Sequence, residues 1–447
     1  MQNILGNETD RATMEMMMRH YRDELLRYQR ATAPGKPTLA ENIESVLPPR
    51  EQENEQYIEE TEVIPEQAEP QEEIAEQEPI REEQEAEIEE EPPVQFANLS
   101  WREFHTEFEK ATGAYGEFRP YERMGRYTMA SFLQSPGKVT PVLARFASDI
   151  AAGGAEHSRC RKSFTVKIFC EDGEYDMAGG YLPVVAGVGE ELHAACGSTT
   201  RADPMTGVRS VESFWRFLSE NEQALPMAIW LYSDFGTIAN YRLADGYCPP
   251  CIWVNKEGER RAVRAMWLSR QRPRTLNRFE AEEMAGADPD AMSRDLFQTL
   301  KSGEKVQFEL AVQIIEPHEM SELDFDPFDP TEMWSKERFA VQRIGLLTLD
   351  RMAGNVTKEL SPERFCAENI IRGIEYADLR AGNGIENAGR QLKLMGEFER
   401  RTIAANMAEQ LKRIPPEMME RVLIMLTNAE LRFGQMVTDM VSGGDAL

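Results

Sequence analysis

The chain is poor in the residues that most often carry chemistry at neutral pH. Histidine occurs five times and cysteine six times in 447 residues. So few cysteines in so long a chain fit a reducing compartment and not a disulfide framework. A Ser-His-Asp triad has little to draw on, and no Gly-x-Ser-x-Gly elbow is present. Long apolar runs are missing as well. The longest, such as Leu225–Tyr232, fall far short of the ~20 residues that cross a bilayer, and the N-terminus carries Glu8, Asp10 and Arg11 where a leader would have an uninterrupted apolar core. A soluble cytoplasmic protein without membrane contact is expected. Positive charge is also in deficit: 50 Lys and Arg stand against 78 Asp and Glu, a formal charge of −28. That balance argues against nucleic acid, which needs a basic surface to displace counterions. No phosphate-binding loop and no internal repeat at a fixed period is present.

What is there is unevenly spread. Residues 51–92 hold nineteen Glu against one Arg, Arg81, a net −18. With Pro65, Pro70, Pro79, Pro92 and Pro93 and little apolar content, this stretch cannot bury enough surface to offset its ordering entropy. Residues 36–97 read as a disordered linker. Before it, in residues 1–35, Met14, Met17, Met18, Tyr21, Leu25 and Tyr28 recur at helical spacing, with Thr9 or Asp10 as cap and Pro34-Gly35 as stop. This short amphipathic helix has two readings: it docks on its own globular body, or it lays a Met-rich face into the groove of a protein partner.

From about residue 98 the texture changes to short strands and turns, and then to helices. In "RKSFTVKIFCEDGEYDMAGG" (161–180) Phe164, Val166 and Ile168 alternate before a turn at Asp172-Gly173. "PMAIWLYSDFG" and "PCIWVNKEGERRAVRAMWL" read as further antiparallel strands. After Phe398 the pattern is helical, with Ala404, Met407, Ala408 and Leu411 on one face and a new helix beginning at Pro415-Pro416. The small-residue run Ala111-Thr112-Gly113-Ala114 in "FEKATGAYGEF" lets a backbone pass close to something bulky.

Six stretches, in order and at suitable separations, resemble the haem catalases: "TGAYGEF", "TPVLARFAS" (140–148), "RKSFTVKIFCEDGEYDM", "SDFGTIANYRLADGY" (233–247), "FDPFDPTEMW" (325–334) and "GIEYADLRAG" (373–382). The resemblance covers residues 98 to about 440. It implies an α+β fold, a catalase-like eight-stranded antiparallel β-barrel with a wrapping segment (98–397) and a C-terminal helical region (398–447). A homo-oligomer is implied too.

The resemblance also says where the chemistry of such a family would sit. The distal His that moves a proton falls on Phe108, and His105, three residues earlier, lies on a helical face pattern opened by the capping box Ser100-Trp101-Arg102-Glu103. The peroxide-orienting Asn falls on Tyr181, within Gly179-Gly180-Tyr181-Leu182-Pro183, and a supporting Ser falls on Ala147. The axial Tyr and the Arg four residues before it fall on Gly389 and Ile385, neither of which can ligate iron or hold a phenolate charge. Arg145 stands where the family places an Arg near a haem propionate and is the one cofactor-binding candidate; its plainer reading is a structural ion pair. No catalytic residue and no cofactor is therefore expected, and haem held through another ligand is the alternative.

Two other groupings remain. Cys248-Pro-Pro-Cys251 has the spacing of a redox or zinc pair, which His193 and Cys196 could complete; the plainer reading is a tight turn of small buried residues, and no metal is expected. Asp324, Asp326, Asp329 and Glu332 bunch carboxylates, but the prolines and the missing mid-loop Gly contradict an EF-hand, so the stretch reads as a structural turn and helix start. Three functions follow as candidates: a catalase-fold scaffold without haem, a divergent haem catalase or peroxidase, and a small-molecule or metal binder.

Overall fold

A computed structural model describes residues 110–443, apart from 152, 204, 362, 363 and 366–368. The helix read over 14–28, the acidic linker, the capping box at Ser100, and positions His105 and Phe108 lie outside the described residues.

Apolar alternation with a period of two builds the sheet. β1 (Lys110–Pro120), β2 (Thr140–Ser148), β3 (Lys162–Cys170), β4 (Gly173–Met177), β5 (Gly246–Val254), β6 (Arg260–Ser269), β7 (Val306–Ile315), β8 (Gln342–Met352) and β9 (Ile374–Tyr376) form one antiparallel sheet in the order β4-β3-β2-β1-β8-β7-β6-β5-β9. Along β2, Val142, Ala144 and Phe146 join the main core, while Leu143, Arg145 and Ala147 face the other way. The sheet curls until β3 and β5, each second from an end of that order, come together at Gly180, which bridges Ser163 of β3 and Tyr247 of β5. The barrel interior is aromatic: Phe164 packs on Phe146 at 4.7 Å, on Phe308 at 4.8 Å and on Trp267 at 6.2 Å between ring centroids.

Helices gather in a second core beside the barrel. α1 (Glu190–Ser198), α2 (Val211–Glu220) and α3 (Leu225–Tyr232) come from the long β4–β5 connection. α4 (Arg278–Ala287) and α5 (Ala291–Lys301) lie between β6 and β7, and α6 (Val356–Glu359) follows β8. α7 (Gly384–Leu394), α8 (Glu397–Leu411), α9 (Pro416–Ala429) and α10 (Leu431–Val441) close the described chain. Buried residues of α1–α3 and α7–α10 share one apolar cluster. The helical layer is thus drawn from two separate parts of the sequence, and its C-terminal part begins at Gly384, before the boundary read at 398.

Two local readings are corrected. Helix α3 occupies most of residues 226–236, which read as a strand, with Pro226 in its first turn. All eight of its residues are buried, so no polar face remained to tell a period of 3.6 from a period of two. Residues 325–334 form turns and no helix. The helical face at Ala404, Met407, Ala408 and Leu411 is buried as expected, and α9 starts at Pro416.

Candidate functional site

The outward face of β1–β3 is where the resemblance sets its cofactor-binding candidate. At Gly113 a Cβ would run into the Ala144 carbonyl oxygen and the methyl groups of Leu360. The bulky neighbour of the small-residue run is therefore Leu360, reached just after α6. Arg145, with no exposed surface, pairs across β1–β2 with Gly113 and donates from Nε to the Leu360 carbonyl at 2.9 Å. Its guanidinium lies 5.9 Å from the Phe365 ring, and burial pulls its pKa down to about 10. Next to it on β3, Lys167 is held by Asp176 at 2.9 Å and Glu174 at 2.8 Å, also against Phe365. Asn369 closes over this pair, donating to Asp176 at 2.7 Å. Ala147 packs on Ala377 and Leu379. Leu360, Phe365, Asn369, Ala377 and Leu379 thus cover this face.

Tyr181 sits on the opposite side of the sheet. Its ring stacks on Phe164 inside the barrel at 5.8 Å, and its hydroxyl donates to the Tyr241 carbonyl at 2.9 Å. Full burial pushes the phenol well above its ordinary range. The Tyr241 hydroxyl in turn shares a hydrogen bond with Ser148 Oγ at 2.8 Å and reaches Glu156 at 3.3 Å. Tyr181 is thus an interior packing residue, separated from Arg145 by the sheet itself.

Helix α7 carries Ile385 and Gly389. Asn383 caps it, Oδ1 accepting from the amides of Ile385 at 3.0 Å and Glu386 at 3.2 Å. A Cβ on Gly389 would collide with the Ala429 carbonyl oxygen at the end of α9, and one on Gly384 with the backbone of Glu222 and Gln223. Ile385 packs partly buried on the helical core. The polar side of α7 is tied to the turn at 329–332. Asn387 donates to Asp329 and to Thr331 Oγ1, both at 2.7 Å, and Gln391 donates to the Thr331 carbonyl at 2.7 Å. Arg390 Nε reaches Glu332 at 3.0 Å, and Asp329 also accepts from the Gly382 amide at 2.9 Å. Of the carboxylates bunched in "DFDPFDPTE", Asp329 and Glu332 are therefore a clasp on α7. Their burial was hidden in the sequence because the partners lie more than fifty residues away.

The cysteine and histidine candidates do not assemble. Cys248 and Cys251 lie along β5, where the pairing register shifts between Tyr247 and Pro250, so the segment is a bulged strand and not a tight turn. Both thiols border the barrel core, and burial raises Cys251 to about 12 and Cys248 further. His193 and Cys196 stand on α1; His193 Nε2 meets the Gly187 carbonyl at 3.2 Å, and burial lowers its pKa to about 4. Among the described residues no group of three or more His, Cys, Asp or Glu could hold a metal ion. Nor is any described helix long and apolar enough to cross a membrane.

With this geometry in view, known proteins give a consistent match. The sequence profile named Catalase matches residues 102–380. Catalase-2 of Bacillus subtilis (strain 168) is 34% identical over 273 residues, 60% of this chain and 40% of that protein. A catalase of Listeria monocytogenes is 31% identical over 59% of this chain and 55% of its own, and one of Methanosarcina barkeri is 33% identical over 59% and 53%. The matched stretch thus spans about half the length of these relatives. Among solved structures, a bacterial catalase superposes with a TM-score of 0.71 at 19% identity, covering 76% of this chain and 87% of that one. Catalase A from Saccharomyces cerevisiae gives 0.69 at 19% identity over 74% and 88%. The profile match stops at residue 380, before α7, whereas the structural likeness covers a larger share of the chain. From its first described strand to the turn that precedes α7, this chain belongs to the catalase family.

Proposed function

We propose that this is a catalase-family protein that no longer holds haem or breaks down peroxide, and that it works as a scaffold or interaction protein. The observation that carries the reading is at Gly389. The residue that the resemblance aligns with the axial tyrosine has no side chain, and the Ala429 carbonyl oxygen occupies the place where a Cβ would go. Ile385, aligned with the supporting arginine, packs into apolar surroundings. These residues do not fit a haem held through a phenolate. On the outward face of β1–β3, Arg145 is engaged by the Leu360 carbonyl and Phe365, so a propionate would have to displace protein. A protein partner, recruited through the amphipathic segment at 14–28, a homo-oligomeric assembly and a cytoplasmic location belong to the same reading.

Catalase names among relatives up to 34% identical favour a second reading, a divergent haem catalase or peroxidase with another axial ligand. One experiment separates the two. Protein expressed with ample haem is expected to be colourless, to lack a defined Soret band and to evolve no oxygen from peroxide. Stoichiometric bound haem would install the second reading, and turnover well above that of free haem would remove the first.

A further inference from the structure

A cavity lies between the outward face of the barrel at β5–β6 and the helical layer. Leu182, Val184 and Ala186 of the β4–β5 connection, Met227 of α3 and Pro330 form its apolar wall. Three cationic residues, Arg161, Lys162 and Arg264, also line it, each about 5% exposed or less, and no Asp or Glu is among its lining residues. In a chain of net charge −28 that sign is the opposite of what composition alone would place there.

The hydrogen bonds of these cations sharpen the point. Arg161 is paired with the buried Asp149 at 2.7 Å. Arg264 donates only to two carbonyl oxygens, those of Pro183 and Glu332, which occupy two of its five N–H donors. Lys162 Nζ meets the Ser158 carbonyl at 3.0 Å and the carbonyl and thiol of Cys160 at 3.4 Å. The carboxylates of Glu332 and Asp329 act on the Arg264 charge from nearby without a hydrogen bond to it, and both are engaged elsewhere, Glu332 by Arg390 and Asp329 by Asn387. Burying a guanidinium is costly unless its charge is paired, and a carboxylate-like ligand matches its planar fork in two parallel bonds.

We propose that this cavity binds a small planar anion, a carboxylate or a trigonal oxoanion, with Arg264 as its principal partner and Lys162 supplying further positive charge beside it. The site is independent of the haem reading and stands or falls by itself. Equilibrium dialysis of the full chain against labelled acetate tests it. Saturable binding of one acetate per chain is expected, with no competition from acetamide, which has the same shape without the charge. Nitrate competing more strongly than acetate identifies an inorganic oxoanion as the better ligand, and the reverse identifies a carboxylate. Arg264→Met is expected to weaken binding by about tenfold or more, through loss of charge-assisted bonds. Ala186→Leu, which fills the cavity and leaves every cation in place, is expected to abolish it and decides the matter if Arg264→Met does not fold. Uptake that rises linearly with concentration, equal competition by acetamide, or undiminished binding to Ala186→Leu would overturn the proposal.

Discussion

At the scale of single residues, glycine marks where this chain is tightest. Gly389 faces the Ala429 carbonyl oxygen so closely that even one added carbon has nowhere to go. Gly389→Ala should therefore destabilise the protein by about 2 kcal/mol, because overpacking a close helix contact outweighs the better helix propensity of alanine. Urea denaturation measures it, and an unchanged or higher midpoint would mean that α7 and α9 can part without cost. By contrast, Gly396, on the α7–α8 link, has open space around its Cβ direction and carries no such constraint. The sequence did not announce this difference. Both are single glycines flanked by helical residues, and only the tertiary approach of α9 separates them.

At the scale of elements, the turn at 329–332 fastens the segment after β7 to α7. Asp329 Oδ1 holds the Thr331 amide at 2.8 Å and its hydroxyl at 2.7 Å, while Oδ2 holds Gly382 and Asn387. Asp329→Ala removes both acceptor oxygens, and with them all four hydrogen bonds, and leaves the buried Asn387 amide short of a partner, so a loss of about 3 kcal/mol is expected. Asp329→Asn, which keeps one acceptor oxygen, should lose less; equal losses for the two variants, read from denaturant midpoints, would contradict the clasp. Much of the architecture was legible beforehand. Phe164, Val166 and Ile168 announced β3 by alternation, and Pro416 announced the start of α9. Residues 226–236 were misread as a strand because α3 has no polar face. The side of the sheet on which Tyr181 lies could not be read either, because it follows a bridge residue outside any regular strand. Cys248 and Cys251 carried a motif spacing, but spacing along a chain says nothing about whether a third ligand arrives.

For the whole molecule, buried histidines set an acid limit. Burial first, and then the nearby Arg161, hold His193 down at about 4, and burial likewise lowers His157. An unfolded chain takes up these protons near pH 6.5, whereas the folded one refuses them until about 4 at His193. Stability from His193 is thus complete above pH 6.5 and is lost as the pH falls toward 4, to the extent of about 3 kcal/mol. Carboxyls such as the buried Glu332 and the half-buried Asp234 and Asp245, raised by desolvation, titrate in the opposite sense, so a difference measurement is needed. Between pH 7 and 4.5, wild type should lose more thermal stability than His193→Gln. Parallel curves would show that His193 is not the buried neutral group described here.

The closure of the barrel has a mechanical consequence. β1 and β2 are joined along nine residue pairs, whereas β5 is joined at Gly180 by a single reciprocal pair of hydrogen bonds, Gly180 to Tyr247 at 2.9 Å and Tyr247 to Gly180 at 2.7 Å. The cylinder is in effect a rolled ribbon whose backbone seam has one button, with the Tyr181 hydroxyl on the Tyr241 carbonyl and Arg264 on the Pro183 carbonyl as side-chain stitches beside it. A wall that opens along this seam loses only these few bonds, while every long ladder that gives the ribbon its strength stays zipped.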